Sequence, residues 1–261
     1  MNSTTIKYIK IGAIAILSVL LVWAIFGIVT NITYATGEEQ VWDVKNPSAI
    51  KHLEIEVNAA DLKIEVGERF HITSNLKYLE VYESSDGLVI EESFHVEKNY
   101  NHAFLTITIP EILTFSDVKI TFGAGRFSVD TLHAETIEFD HGAGEVDIRD
   151  LYVSKGININ DGAGKMTIDG GSINNLHLDM GAGEVDIRAE ILGHSELHFG
   201  IGDAKITLLG TSEIYTVEIS EHIGDVLIND MDFTHESIIG DGPNHLDING
   251  GVGLVELIFE Q

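Results

Sequence analysis

Two pairs of carboxylates stand two residues apart in stretches of alternating character, Glu145 with Asp147 and Glu184 with Asp186. On an extended strand that spacing puts both acids on one face, ~7 Å apart. At such a separation one carboxylic acid can protonate a glycosidic oxygen while the other activates water, as in inverting glycoside hydrolysis. Asp203, Asp225 and Asp241 lie beside glycines, and clustered carboxylate oxygens are what calcium takes. Of twelve histidines, His177, His194 and His198 fall within 22 residues, and imidazole is a zinc ligand.

None of these sets forms a signature. Every second residue of a strand faces outward, so acids at i and i+2 are what an ordinary solvated strand carries. Ser128, Thr167 and Lys205 fill the column of Asp147 and Asp186, and a repeated cation ligand does not become lysine. His177 and His198 belong to different outward columns, and the chain has no cysteine to complete a zinc site. Gly193-His194-Ser195 lacks the trailing glycine of a hydrolase elbow. The recurring Gly-x-Gly is no dinucleotide fingerprint, because no helix follows it. The expectation is a chain with no catalytic, cofactor-binding or metal-binding residues, and so not an enzyme.

What must position these side chains is a repeat. Gly123-Ala124-Gly125, Gly142-Ala143-Gly144, Gly162-Ala163-Gly164 and Gly181-Ala182-Gly183 recur at 19 or 20 residues, and Gly200-Ile201-Gly202 follows at the same step. A fixed period carrying alternating strands is the sequence form of a β-solenoid. Aligned on the glycines, Val146, Met166 and Val185 share one column, and Ile148, Ile168 and Ile187 another. Phe139, Ile159 and Leu178 share a third on the other side of the phrase. In the outward columns Arg126, Glu145, Lys165 and Glu184 alternate in sign, as do Asp130, Arg149, Asp169 and Arg188 in the opposite phase. Stacking parallel strands in register sets such residues ~4.8 Å apart, where alternation helps. Reversing Arg149 to Glu is accordingly expected to cost ~1 kcal/mol through Asp130 and Asp169.

The order of segments follows. Residues 1–10 form a tail, 11–29 an uncharged apolar stretch, 30–50 a linker, 51–117 an irregular β start, and 118–261 the regular repeats. Asn58-Ala59-Ala60 reads as a degenerate glycine phrase, and the runs between 53 and 109 suit hairpins. The apolar end at 250–259 reads as the cap that covers the last open edge. The fold class is thus all-β, a solenoid of about 19–20 residues per turn, preceded by one transmembrane helix.

A helix over the 19 residues 11–29 is ~28 Å long, enough to cross a bilayer. Lys7 and Lys10 before it, with Glu38 and Glu39 after it, place the N-terminus in the cytoplasm and the rest outside. The competing reading is a signal peptide cleaved near Ala35, although such cores run only ~7–15 residues. The formal net charge is -27, with the only charges of residues 1–35 being two lysines. That excludes a nucleic-acid or anionic-lipid surface and leaves cationic partners. Export without cysteine fits a bacterial envelope of Gram-positive type.

Thr106-Ile107-Thr108-Ile109-Pro110, then Val118-Lys119-Ile120 and the repeated Gly-Ala-Gly-Glu-Val-Asp-Ile, resemble the bacterial putative-adhesin family of β-strand-repeat proteins. Membrane-anchored members of that family occur in Gram-positive, Lia-type envelope-stress gene clusters. The resemblance spans residues 50–260, implies a β-solenoid ectodomain, and carries no functional residues with it. The expected role is a non-enzymatic binding or scaffolding module at the cell membrane, held by residues 11–29, whose partner is an envelope protein or a cationic ligand. The alternatives are a carbohydrate-active β-helix or a surface adhesin. A rod only ~35 Å long, at ~4.8 Å per turn, would stay within a thick wall.

Overall fold

The computed structural model describes residues 36–93, 102–220, 223–229, 231–233, 237–249 and 251–260. The expected tail and membrane helix, residues 1–29, lie outside them. Among the described residues no helix is long and apolar enough to cross a membrane. The strands are β1 (Thr36–Asp43), β2 (His52–Val66), β3 (His71–Leu76), β4 (Leu79–Glu83), β5 (Gly87–Glu92), β6 (Phe104–Ile109), β7 (Phe115–Ile168) and β8 (Gly171–Asn174). They continue as β9 (Leu176–Leu192), β10 (His194–Leu209), β11 (Tyr215–Ser220), β12 (Ile223–Ile228), β13 (Met231–Phe233), β14 (Ser237–Ile239), β15 (Asn244–Asn249) and β16 (Val252–Glu260). Two short 3-10 turns, Pro47–Ala49 and Ser212–Ile214, complete the described elements.

Alternating residues with glycine corners give long strands that stack in parallel, each residue above its counterpart one coil earlier. Ile187 of β9 lies beside Ile168 of β7 and Ile206 of β10. The 54-residue β7 winds through several coils itself. Inside it the step of 19 or 20 shows in Arg126 to Glu145, Glu135 to Lys155 and Asp140 to Asn160. The inward columns are apolar and sealed: Val146, Ile159, Met166, Ile168, Leu178 and Ile187 are buried. Each such side chain contributes roughly 1.5–3 kcal/mol. The degenerate phrase also falls where the repeat requires, with Ala59 beside Ala124 and Ala60 beside Gly125.

The ends depart from sequence order. At the N-terminal end β2 lies between β7 on one side and β5 with β6 on the other, so later strands form the outer coil. At the C-terminal end β15 and β16 insert between β10 and the pair β11 and β12. The apolar 252–260 segment is therefore an inner coil and not the terminal cap. Val255 and Leu257 are buried because both neighbours cover them. Val226 and Ile228 keep their column with Ala204 and Ile206, but Val255 and Leu257 stand between. Edge protection comes instead from antiparallel strands: β4 on β5, β3 on β6 and β1 on β3 at one end, β14 on β11 and β13 on β12 at the other. Such short reversed strands end the parallel template. Only part of the 51–117 stretch is a hairpin, since the 53–57 and 62–66 runs share β2, and residues 36–43 are strand rather than linker.

The outward charge ladders hold in part. Arg126 Nη2 donates to Glu145 Oε2 at 2.5 Å, Lys165 Nζ lies 3.7 Å from Glu184, and Arg149 Nη1 lies 3.7 Å from Asp130. Arg188 turns from Asp169 to Glu260, to which it donates two hydrogen bonds of 2.9 and 2.7 Å. That fork holds the Glu260 carboxyl below the usual carboxylate range. The contribution is present at neutral pH and lost as acid protonates the folded form. Arg149 leans on Asp150 at 3.6 Å rather than on Asp169. With its side chain 61% exposed, Arg149→Glu is expected to cost only about 0.5 kcal/mol, fading in high salt, as read by urea denaturation.

Candidate functional site

The two strand faces flanking the glycine corner differ in charge logic. After the glycines, opposite charges alternate from Arg126 to Glu184, and Asp203 then stands beside Glu184. Before them, two outward columns run nearly without cations. The first holds Glu54, Lys119, Glu138, Asn158, His177, Glu196, Asp247 and Glu218, and the second Glu56, Thr121, Asp140, Asn160, Asp179, His198, Asn249 and Ser220. Lys119 is the sole lysine or arginine in the two. Glu196, Asp247 and Glu218 follow one another directly across β10, β15 and β11. Three like charges stacked in register oppose folding. The insertion of β15 creates that stack, which is why the linear repeat does not reveal it.

The corner beside these columns is a groove of about 720 Å³. Its floor is the exposed first glycine of each phrase, Gly123, Gly142, Gly162, Gly181 and Gly200. Thr121, Asp140, Asn160, Asp179 and His198 line one side at one polar group per coil. Asn160 donates to Asp140 at 2.7 Å. Behind the floor an inward column runs Phe122, His141, Asp161, Met180 and Phe199. Two of its members are polar and sealed: His141 Nδ1 is 2.9 Å from Asp161 Oδ1, with both side chains 0% exposed. The imidazole stacks on Phe122 (ring centroids 5.5 Å apart, 11° between planes) and Phe139 (6.0 Å, 3°). His141 Nε2 and Asp161 Oδ2 have no hydrogen-bond partner among the described residues. The pair is legible in sequence only as polar residues in a column otherwise apolar.

The sequence candidates distribute as follows. Glu145 and Glu184 are absorbed by the ladder with Arg126 and Lys165, and Asp186 lies beside Thr167 and Lys205. Glu184 and Asp186 line a small cavity of about 160 Å³, which they share with Lys165 and Lys205. Asp203 Oδ1 accepts from the Leu254 amide at 2.9 Å, and Leu254 separates Asp203 from Asp225, so these two candidate calcium ligands do not meet. The histidines do. His177 and His198 sit one coil and two residues apart, a diagonal within reach of aromatic side chains, and their rings are 5.6 Å apart. His194 stacks on His245 at 5.5 Å. Of the shifted groups, Tyr215 is raised chiefly by burial and donates its hydroxyl to Leu209 O at 2.6 Å, away from the groove. The hydrogen bond between Lys63 and Glu65 raises the ammonium and lowers the carboxyl.

A known structure shares this fold. A putative adhesin of Bacteroides fragilis aligns with a TM-score of 0.52 at 15% identity, over 84% of this chain and 96% of its own. A putative cell adhesion protein of Clostridium sporogenes aligns at 17% identity, over 85% of this chain and 99% of its own, with a TM-score of 0.38. At these identities the first likeness speaks for the fold alone, and the second carries no argument. Among curated proteins none matches the chain. The family model described as Toastrack DUF4097 matches residues 50–238, most of the described domain, and the chain belongs to that family.

Proposed function

We propose that this chain is a non-enzymatic binding module of the cell envelope, and that its acidic strand face and glycine-floored groove take a cationic, extended ligand such as a basic peptide. The observation that carries this is the stack of Glu196, Asp247 and Glu218, with no lysine or arginine in its column after Lys119, beside a groove presenting one polar group per coil. Such a stack costs stability and is relieved by a cation. A groove that repeats the same chemistry suits a polymer better than a single reacting bond. In this reading residues 11–29 anchor the domain outside the membrane, and cationic envelope stress is the condition under which it acts.

The test is the affinity of the full-length protein for an oligolysine peptide, measured against salt. Affinity should fall at least about tenfold between low and high salt. The triple change Glu196→Gln, Asp247→Asn and Glu218→Gln should weaken it, whereas Glu145→Gln on the balanced face should not. An affinity independent of salt would falsify the cationic-ligand reading. The name of the Bacteroides fragilis protein favours a second reading, surface attachment. It requires antibody access to the domain on intact cells, and absence of labelling removes it.

A further inference from the structure

We infer that the strip centred on Glu196 is a binding site for a divalent transition-metal ion, with His177, Glu196 and His198 as its ligands. His177 Nδ1 lies 3.5 Å from Glu196 Oε2, and His198 Nε2 lies 3.8 Å from the same oxygen. One ligand atom from each residue falls within 4.8 Å of the others. Ligand atoms sharing a tetrahedral zinc with bonds of ~2.0–2.1 Å stand ~3.3 Å apart, so small side-chain rotations close the site.

Three further features point the same way. His177 Nε2 lies 3.2 Å from Asp179 Oδ2, so a carboxylate orients the ring from its other nitrogen and turns Nδ1 towards Glu196. That is the outer partner metal-bound imidazoles normally have. The three side chains are 40 to 46% exposed, which leaves an entry path and open positions for water. The position is also electrostatically primed, since Asp247 and Glu218 extend the negative column beyond Glu196. His194 Nε2, 3.4 Å from Asp247 Oδ2, forms with Glu196 a second group of three on the adjoining coil. Two imidazoles and one carboxylate match zinc, nickel or copper rather than calcium or magnesium, which want oxygen throughout. This assignment shares Glu196 with the peptide reading but rests on the ligand geometry, and His177→Ala and His198→Ala, which leave the acidic stack intact, separate loss of zinc from loss of oligolysine.

The experiment is titration of the full-length protein with zinc chloride by calorimetry, followed by copper(II) and electron paramagnetic resonance. Zinc should bind reversibly to chelator, and His177→Ala, His198→Ala and Glu196→Gln should each weaken it at least about tenfold. The copper spectrum should show coupling to two nitrogens in the parent and to one in either histidine variant. Because these side chains are partly exposed, circular dichroism should report unchanged folding. His133→Ala, whose ring stacks on Tyr152 on another face, should bind zinc normally. No chelator-reversible binding at millimolar zinc, or equal binding by the parent, His177→Ala and His198→Ala, would overturn the assignment and leave these histidines as solvated surface groups.

Discussion

Asp161→Leu alone is expected to destabilise the domain by about 1–3 kcal/mol, the usual loss when a buried polar group is left without its hydrogen-bond partner. His141 would then keep a polar ring between Phe122 and Phe139 with its Nδ1 partner gone. The double variant His141→Leu/Asp161→Leu is expected to recover most of that loss, because an apolar pair of similar volume replaces a buried polar one at little or no net cost. Chemical denaturation of the parent, both single variants and the double variant gives the coupling directly. Additive losses would show that the pair is not a unit. The existing column supports recovery, since Phe122, Met180 and Phe199 fill the equivalent place on neighbouring coils with apolar groups. What the polar pair adds is a defined partner for each residue within an otherwise uniform stack, and two buried atoms, His141 Nε2 and Asp161 Oδ2, that a trapped water could satisfy.

The second large effect belongs to the corner. Gly144 has φ +141°, in the range L side chains rarely adopt, and a Cβ there would overlap the carbonyl oxygen of Gly125 one coil away. Gly144→Ala should therefore cost about 3 kcal/mol or more, since neither backbone can yield without shifting its coil. Gly156 is the internal comparison. A Cβ at Gly156 would meet nothing nearer than 3.7 Å, and its φ lies outside the positive range. Gly156→Ala is expected to be neutral or to stabilise by up to about 1 kcal/mol through the unfolded chain. Thermal melts of the two variants side by side separate a corner glycine from an incidental one. Similar melting temperatures for both would contradict the stacked-corner account.

The contrast between those two glycines shows what is legible in the sequence. Gly144 belongs to a phrase repeated at one step, and periodicity is local information that survives in a linear text. Gly156 does not recur, and nothing fixes it. The inward columns and the alternation of Arg126, Glu145, Lys165 and Glu184 are legible for the same reason, because each follows from consecutive coils being neighbours. That premise fails at both ends. β15 and β16 pair with residues 51 positions earlier, and β5 and β6 fold back over β2. No period marks such insertions, so the 250–259 stretch looks like a cap from its apolarity alone. The candidate site suffers most, since the Glu196–Asp247–Glu218 stack and the His194–His245 contact exist only through the inserted strand. His177 and His198 stand out in the sequence, yet their different columns make them read as unrelated, for a second reason. Column logic treats neighbours as directly opposite, whereas long side chains also meet diagonally.

Cross-linking tests the order of the coils most directly, because the chain has no cysteine of its own. Lys205 lies beside Glu256, and Glu256 in turn beside Leu227. The variant Lys205→Cys/Glu256→Cys places two thiols on adjacent parallel strands ~4.8 Å apart, within the reach of a disulfide. Lys205→Cys/Leu227→Cys places them two strands apart, ~9.6 Å, beyond that reach. Mild oxidation followed by mass spectrometry should give near-complete bridging in the first variant and essentially none in the second. Bridging of 205 to 227 without bridging of 205 to 256 would mean that the coils follow chain order, and the acidic stack with everything argued from it would be lost.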